Sequence, residues 1–137
     1  MGNFSEEILR RFPEVWEIVH DGDEELPYLM VRHIAEWLAR VAKRGFDQGL
    51  IKRLVEFNQW CAEHPKGKSA EDDVWTIYLV GFLEKLFEDD ALVSLIGRLM
   101  VREDLERNRE YFVSWVGKDR YELAMRQRCD VVRRKRR

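Results

Sequence analysis

The chain has 137 residues, of which 45% are hydrophobic and 36% are charged, with a formal net charge of −2. This length fits one domain with its own core, and the composition excludes a disordered chain. No apolar run approaches the roughly 20 residues of a membrane-spanning helix, and the N-terminus lacks a signal-peptide pattern. The two cysteines form no metal-spaced pair. We therefore expect a reduced, cytoplasmic protein.

The charge is unevenly distributed along the chain. Residues 118–137 contain nine Lys/Arg and three Asp/Glu, a net +6, which leaves a net −8 on the other 117 residues. An acidic body with a basic tail is a charge asymmetry that any account of the protein's function has to explain. The basic run at the end consists of Arg133, Arg134, Lys135, Arg136 and Arg137.

Helical patterns begin near the N-terminus. Ser5 is placed to cap a short helix that runs through Arg11, and Pro13 suits the first turn of the next segment. Asp21 to Glu25 interrupts the helical pattern with four acidic side chains and one glycine. The apolar stripe of the segment that starts at Pro13 consists of Val15, Trp16 and Val19.

Two amphipathic helices follow. The first runs from about Pro27 to Arg44, and Gly45 ends it after a basic last turn. The second runs from about Asp47 to Glu63, with Asn58 inside its apolar stripe and Trp60 well off it. That stripe consists of Leu50, Leu54, Phe57 and Cys61.

The segment 74–87 is the most apolar part of the chain. Its only polar side chains are Thr76, Glu84 and Lys85. A helix that is apolar almost all round is buried on several sides. We therefore predict a central helix over 74–87 that is the main source of stability.

The last third of the chain predicts three more helices. One opens at Asp89-Asp90, the next runs from about Arg102 to Val116, and the last fades into the basic run. Gly117 separates the second of these from the third. The buried face of the first consists of Leu92, Leu95, Ile96 and Leu99, the stripe of the second of Leu105, Phe112, Trp115 and Val116, and that of the third of Tyr121, Ala124 and Met125.

The predicted fold class is all-α. No stretch alternates apolar and polar residues as a half-buried strand does. Short connections favour six or seven helices packed as antiparallel hairpins around residues 74–87, with a short array of stacked helix pairs as the alternative. We expect one all-helical domain over 1–117, with a C-terminal helix and basic tail over 118–137 docked on it.

Motifs for common chemistry are incomplete. The segment 62–69 resembles a phosphate-binding loop, but a helix precedes it and Pro65 removes an N–H donor. Asp21, Asp23 and Glu25 alternate as in a calcium loop, whose sixth and twelfth positions are here Leu26 and Arg32. No histidine has a second ligand at helical spacing. We therefore predict no catalytic, cofactor or metal residues, and no cofactor.

Polar side chains on predicted buried faces have two interpretations. A buried polar group is costly unless it is paired, so Asn58, Asn108 and Arg109 either form internal hydrogen bonds or line a groove for a partner. Trp60 is either covered by a neighbouring helix or exposed as a binding anchor. The sequence leaves both alternatives open.

Four stretches and one turn carry a resemblance: FPEVWEIV, ELPYLMVRHIAEWL, LIKRLVEF and VWTIYLVGFLEKL, followed by a DDAL-type turn. Through the Phe-Pro-Glu of residues 12–14 and the Phe-Leu-Glu-Lys-Leu of residues 82–86, the chain resembles a family of small bacterial all-helical proteins of unknown function. The resemblance covers about residues 12–117. That family is similar in size and acidity to immunity proteins of bacterial toxin systems, which implies a partner protein and no catalytic residues. The basic tail departs from the pattern.

The leading expectation is a non-enzymatic protein-binding module of immunity or regulatory type. The alternatives are a nucleic-acid-associated protein that uses its basic tail non-specifically, and an enzyme without a recognisable motif. If the helices alternate in direction, the starts of the second and fourth helices share an end, where acidic side chains would attract a basic partner. The predicted partner-binding residues are Asp21, Asp23, Glu24, Glu25, Glu71, Asp72, Asp73 and Trp60.

Overall fold

The computed structural model describes residues 2–69 and 73–135, with side chains over 4–69 and 73–127. Within these residues the fold is all-α, as predicted, and contains no strand. The contacts divide the chain into two compact units, Met1–Lys85 and Leu86–Arg137. The predicted boundary at residue 117 does not coincide with this division, because the C-terminal helix packs within the second unit.

Over residues 2–69 and 73–85, the first unit contains four α-helices. Helix α1 (Gly2–Arg11) runs antiparallel along α3 (Gln48–Glu63), since Phe4 stacks on Trp60 while the guanidinium of Arg53 donates to the carbonyl oxygen of Arg11. Single 3-10 turns at Pro13–Glu17, Asp23–Glu25 and Ala42–Arg44 connect the helices. The helices are α1 (Gly2–Arg11), α2 (Pro27–Val41), α3 (Gln48–Glu63) and α4 (Val74–Tyr78).

Helix α4 continues into a π-helical segment at Leu79–Leu83 and then into α5 (Glu84–Glu88). The sequence pattern predicts an uninterrupted α-helix here, whereas the structure inserts the wider turn. From Val74 to Phe87 every side chain is buried or half-buried and none is exposed. The predicted burial of this segment is therefore confirmed. Its fully enclosed side chains include Ile77, Tyr78, Phe82, Leu83, Leu86 and Phe87.

The second unit is built around α9 (Lys118–Lys135), which packs against α6 (Ile96–Leu99) and α8 (Arg109–Val116). Arg120 Nε donates to the carbonyl oxygen of Phe87 (2.7 Å), and the hydroxyl of Tyr121 donates to that of Leu105 (3.1 Å). These bonds attach the C-terminal helix to its own unit. The helices are α6 (Ile96–Leu99), α7 (Arg102–Arg107), α8 (Arg109–Val116) and α9 (Lys118–Lys135).

Two predicted apolar stripes are wrong at their tryptophans. Residues 13–17 form a 3-10 turn, whose period of about three residues buries Val15 and Ile18 and leaves Trp16 55% exposed. The predicted helix 102–116 is broken at Asn108, so the stripe changes phase and Trp115 is 59% exposed. None of the helices in the described part of the chain is long and apolar enough to span a lipid bilayer.

Candidate functional site

An open groove of about 690 Å³ lies in the first unit, where the end of α2 turns back into the start of α3. Its volume falls within the roughly 300–1,000 Å³ typical of binding pockets. One wall comes from α2 and the turn after it, and the opposite side from α3 and the 3-10 turn at Pro13–Glu17. The lining residues are Glu14, Trp37, Val41, Arg44, Gly45, Phe46, Asp47, Gly49, Leu50 and Arg53.

The connection between α2 and α3 shapes the groove. Gly45 has a φ of 85°, a left-handed conformation that side-chain-bearing residues rarely adopt, and it ends the 3-10 turn at Ala42–Arg44. Asp47 then caps α3 by accepting a hydrogen bond from the backbone N–H of Leu50 (2.7 Å). Phe46, whose ring is half-buried, lies between Gly45 and Asp47 in the sequence.

Arg53 forms a rigid side of the groove. Its guanidinium donates to both carboxylate oxygens of Glu14 (2.9 and 2.7 Å) and twice to the carbonyl oxygen of Arg11 (3.2 and 2.8 Å). It also lies over the rings of Phe12 (5.2 Å) and Trp37 (5.6 Å). The hydrogen bonds from Arg53 lower the pKa of the Glu14 carboxyl, so the pair is charged at neutral pH.

The groove offers groups for binding rather than for covalent chemistry. None of its ten described lining residues carries a hydroxyl, thiol or imidazole. Its two carboxylates are already engaged, Glu14 by Arg53 and Asp47 by the start of α3. What remains is an aromatic and aliphatic surface with arginine at its edge. The sequence pattern did not reveal this site, because Leu50 is predicted as a core position and Arg44 as a helix end.

The predicted acidic segment is held in place by hydrogen bonds to α1 and α2. Asp23 accepts a hydrogen bond from the backbone N–H of His20 (2.9 Å) and one from Nε2 of His33 (2.9 Å). These two bonds lower the pKa of Asp23. The hydroxyl of Ser5 donates to the carbonyl oxygen of Glu24 (2.6 Å), so Ser5, predicted as a helix cap, instead joins α1 to this segment. Within this segment the exposed carboxylates are Asp21 and Glu25.

His33 is 5% exposed, and its Nδ1 lies 3.5 Å from a carboxylate oxygen of Glu36. Its Nε2 is paired with Asp23, whereas its buried Nδ1 has no hydrogen-bond partner among the described residues. The Asp23–His33 pair thus fixes the acidic segment against α2. No group of three metal-ligating side chains occurs within the described residues.

Asp73 also has a structural role. It caps α4 by accepting hydrogen bonds from the backbone N–H of Thr76 (3.1 Å), the hydroxyl of Thr76 (2.6 Å) and the backbone N–H of Gly67 (3.0 Å). Burial alone would raise the pKa of Asp73, but these hydrogen bonds lower it. Glu71 and Asp72 lie outside the described residues, so a shared acidic end stays a prediction.

Trp60 is half-buried in an aromatic cluster. It stacks on Phe4 (6.0 Å) and contacts His64 (4.8 Å), and the guanidinium of Arg11 lies 6.0 Å from its ring. The structure therefore favours the interpretation in which a neighbouring helix covers this ring. The more exposed tryptophans are Trp16 and Trp115.

The three polar residues predicted on buried faces differ from one another. Asn58 accepts a hydrogen bond from the fully buried hydroxyl of Tyr78 (2.7 Å), which is an internal pair. Asn108 donates to the carbonyl oxygen of Asp104 (2.8 Å) at the break between α7 and α8. The predicted placement of Arg109 on a buried face is wrong, because this side chain is exposed. Its guanidinium carbon lies 5.7 Å from the centroid of the Tyr121 ring.

The basic run begins on α9, whose helical backbone reaches Lys135. The predicted last helix therefore extends into the basic run, over the backbone of residues 133–135. The side chains of Arg133, Arg134 and Lys135, and all of Arg136 and Arg137, lie outside the described residues.

No protein-family model, curated protein or solved structure that was compared matches this chain.

Proposed function

We propose that this chain is a non-enzymatic protein-binding module, of the immunity or regulatory type that its sequence resemblance implies. The observation that carries the proposal is the groove between α2 and α3: an open apolar surface beside a rigidly held arginine, with both of its carboxylates engaged. Aromatic side chains and arginine are the residue types that dominate binding energy at protein interfaces.

The proposal is tested by affinity capture with groove variants. Wild-type chain and the variants Val41→Gln and Phe46→Ser are immobilised, and proteins retained from a lysate of the source organism are compared by mass spectrometry. We expect a protein that the wild type retains and both variants lose. Val55→Gln is the matched control, because Val55 is a 37% exposed valine of α3 that does not line the groove.

The same comparison contains its contrary outcome. If every retained protein is captured equally by wild type, Val41→Gln and Phe46→Ser, the groove is not the binding site. Circular dichroism of each variant separates a lost contact from a lost fold. A gene for a secreted toxin beside the gene for this chain would further support the immunity-type role.

Nucleic-acid association through the basic tail is the second candidate, and the helical backbone of α9 up to Lys135 favours it by placing part of the basic run on a helix. Up to five phosphate contacts predict a salt slope of about −4 to −5 and little discrimination between sequences. Titrations of one random and one selected duplex, with the full chain and with residues 133–137 deleted, measure both quantities. A thousandfold preference for the selected duplex that is lost on deletion would show specific recognition instead.

A further inference from the structure

The charges that line the groove are not equally available. Arg53 is neutralised by its two hydrogen bonds to Glu14, and Asp47 is used by the backbone N–H of Leu50. Arg44 differs from these three, because it is exposed and its side chain has no hydrogen bond or ion pair with any residue of 2–69 or 73–135. A charged group from outside the chain would therefore meet Arg44 first.

Two further cations lie close to Arg44 along the chain. Lys43 precedes it in the same 3-10 turn, and Arg40 stands one helical turn earlier in α2, both exposed to solvent. This end of the groove is thus a local basic surface on a chain whose body is acidic. It repels a basic segment and attracts a carboxylate, with which an arginine forms short, charge-assisted and often bidentate hydrogen bonds.

The apolar part of the groove lies beside this cation. The apolar surface consists of Trp37, Val41 and Leu50, and the guanidinium of Arg53 lies over the indole ring of Trp37. Phe46 lines one side of the groove. The space is open rather than enclosed, which suits a length of polypeptide passing across it better than a small molecule that must be surrounded.

We infer that the groove binds a peptide segment in which an aromatic or aliphatic side chain stands next to an aspartate or glutamate. The apolar side chain lies on Trp37, Val41 and Leu50, and the carboxylate pairs with Arg44. This inference rests on the proposed function, and it names the chemistry of the partner: an acidic segment at the groove. The basic partner expected from the sequence would contact the acidic segment around Asp21 instead.

The test is a selection of short random peptides displayed on phage against the full chain. Affinities of enriched peptides are then measured by fluorescence anisotropy for wild type, Arg44→Glu and Arg44→Gln. We expect the enriched peptides to share an acid beside an apolar residue, and to bind Arg44→Glu at least about tenfold more weakly. Replacing the peptide's acid by its amide should cause a similar loss for wild type and little further loss for Arg44→Gln.

Arg32→Glu is the control for overall charge, because Arg32 is an exposed arginine of α2 that lies outside the groove lining. Its affinity should stay within about threefold of wild type at physiological salt, where distant surface charges are screened.

Two results overturn the inference and are distinguishable. Enriched peptides that lack an acid, or bind Arg44→Glu as tightly as wild type, but lose affinity for Val41→Gln, refute the acidic partner and leave the groove as a binding site. A selection that enriches nothing, or peptides indifferent to Val41→Gln and Phe46→Ser, refutes both the acidic partner and the groove.

Discussion

Gly81 packs directly against Val31, and a β-carbon at position 81 would also lie 3.2 Å from the carbonyl oxygen of Tyr28. Both Gly81 and Val31 are buried, and Gly81 stands inside the π-helical segment. The missing side chain lets this segment approach α2 at backbone distance. π-helical turns are rare, and this one lies where Gly81 makes its close contact with α2. This coincidence indicates that the wider turn and the close packing of the two segments belong together.

We expect Gly81→Ala to destabilise the protein. Alanine is favoured over glycine in a helix by about 1 kcal/mol, but forcing a methyl group into a filled core costs about 1–3 kcal/mol. Here the methyl group meets a stiff β-branched side chain and a backbone oxygen, so the packing cost should exceed the helical gain. The measurement is the free energy of unfolding in urea.

The same experiment in a Val31→Ala background isolates the contact. Removing the side-chain methyl groups that Gly81→Ala would strike should reduce the cost of the substitution by more than half. An unfolding free energy that rises on Gly81→Ala in the wild-type background would show that there is room for the methyl group.

Leu83→Ala should lower the free energy of unfolding by roughly 2–5 kcal/mol, because Leu83 is fully buried and the substitution leaves a cavity. Val80→Ala is the matched control in the same π-helical segment, with a half-buried side chain and an expected loss of about 1 kcal/mol or less. Comparable losses for the two variants, measured in urea, would contradict the burial pattern of this helical segment.

The hydrogen bond between Tyr78 and Asn58 predicts an asymmetric pair of substitutions. Tyr78→Phe leaves a half-exposed amide that water can reach, at a cost of about 0.5–1.5 kcal/mol. Asn58→Ala leaves the fully buried Tyr78 hydroxyl without its acceptor, at about 1–3 kcal/mol. The double variant should therefore cost less than the sum of the two. A neutral Asn58→Ala in thermal and urea unfolding would show that this hydrogen bond does not stabilise the fold.

Asp73 predicts a pH dependence of stability. Its pKa in the folded protein is lowered from the ordinary value of 3.8, so its contribution is fully present above that value and is lost as the pH falls through the lower folded pKa. Asp73→Asn keeps an oxygen that can cap α4 but cannot titrate. Between pH 5 and pH 2, the unfolding free energy of the wild type should therefore fall more steeply than that of Asp73→Asn. Parallel curves would mean that this carboxylate does not stabilise the cap.

The sequence alone determined the elements whose cause is local. The run from Val74 to Phe87 has so few polar side chains that any helix formed by it must be buried, and the structure confirms this. Gly45 and Asp47 likewise predict a turn and a helix start, because a left-handed backbone and an N-cap each depend on one residue type. The aspartates at positions 23 and 73 were visible as an acidic pattern, but not as the caps and pairs that they form.

Tertiary structure decided the positions that depend on distant neighbours. The side of the groove at Arg53 exists because Glu14, 39 residues earlier, accepts hydrogen bonds from the Arg53 guanidinium. Helical periodicity cannot predict this pairing. Trp16 and Trp115 are exposed because a 3-10 turn and a helix break each change the angle at which the next side chain leaves the backbone. Local propensity sets which residues form helices, whereas the free energy of packing sets which faces meet and which remain open to a partner.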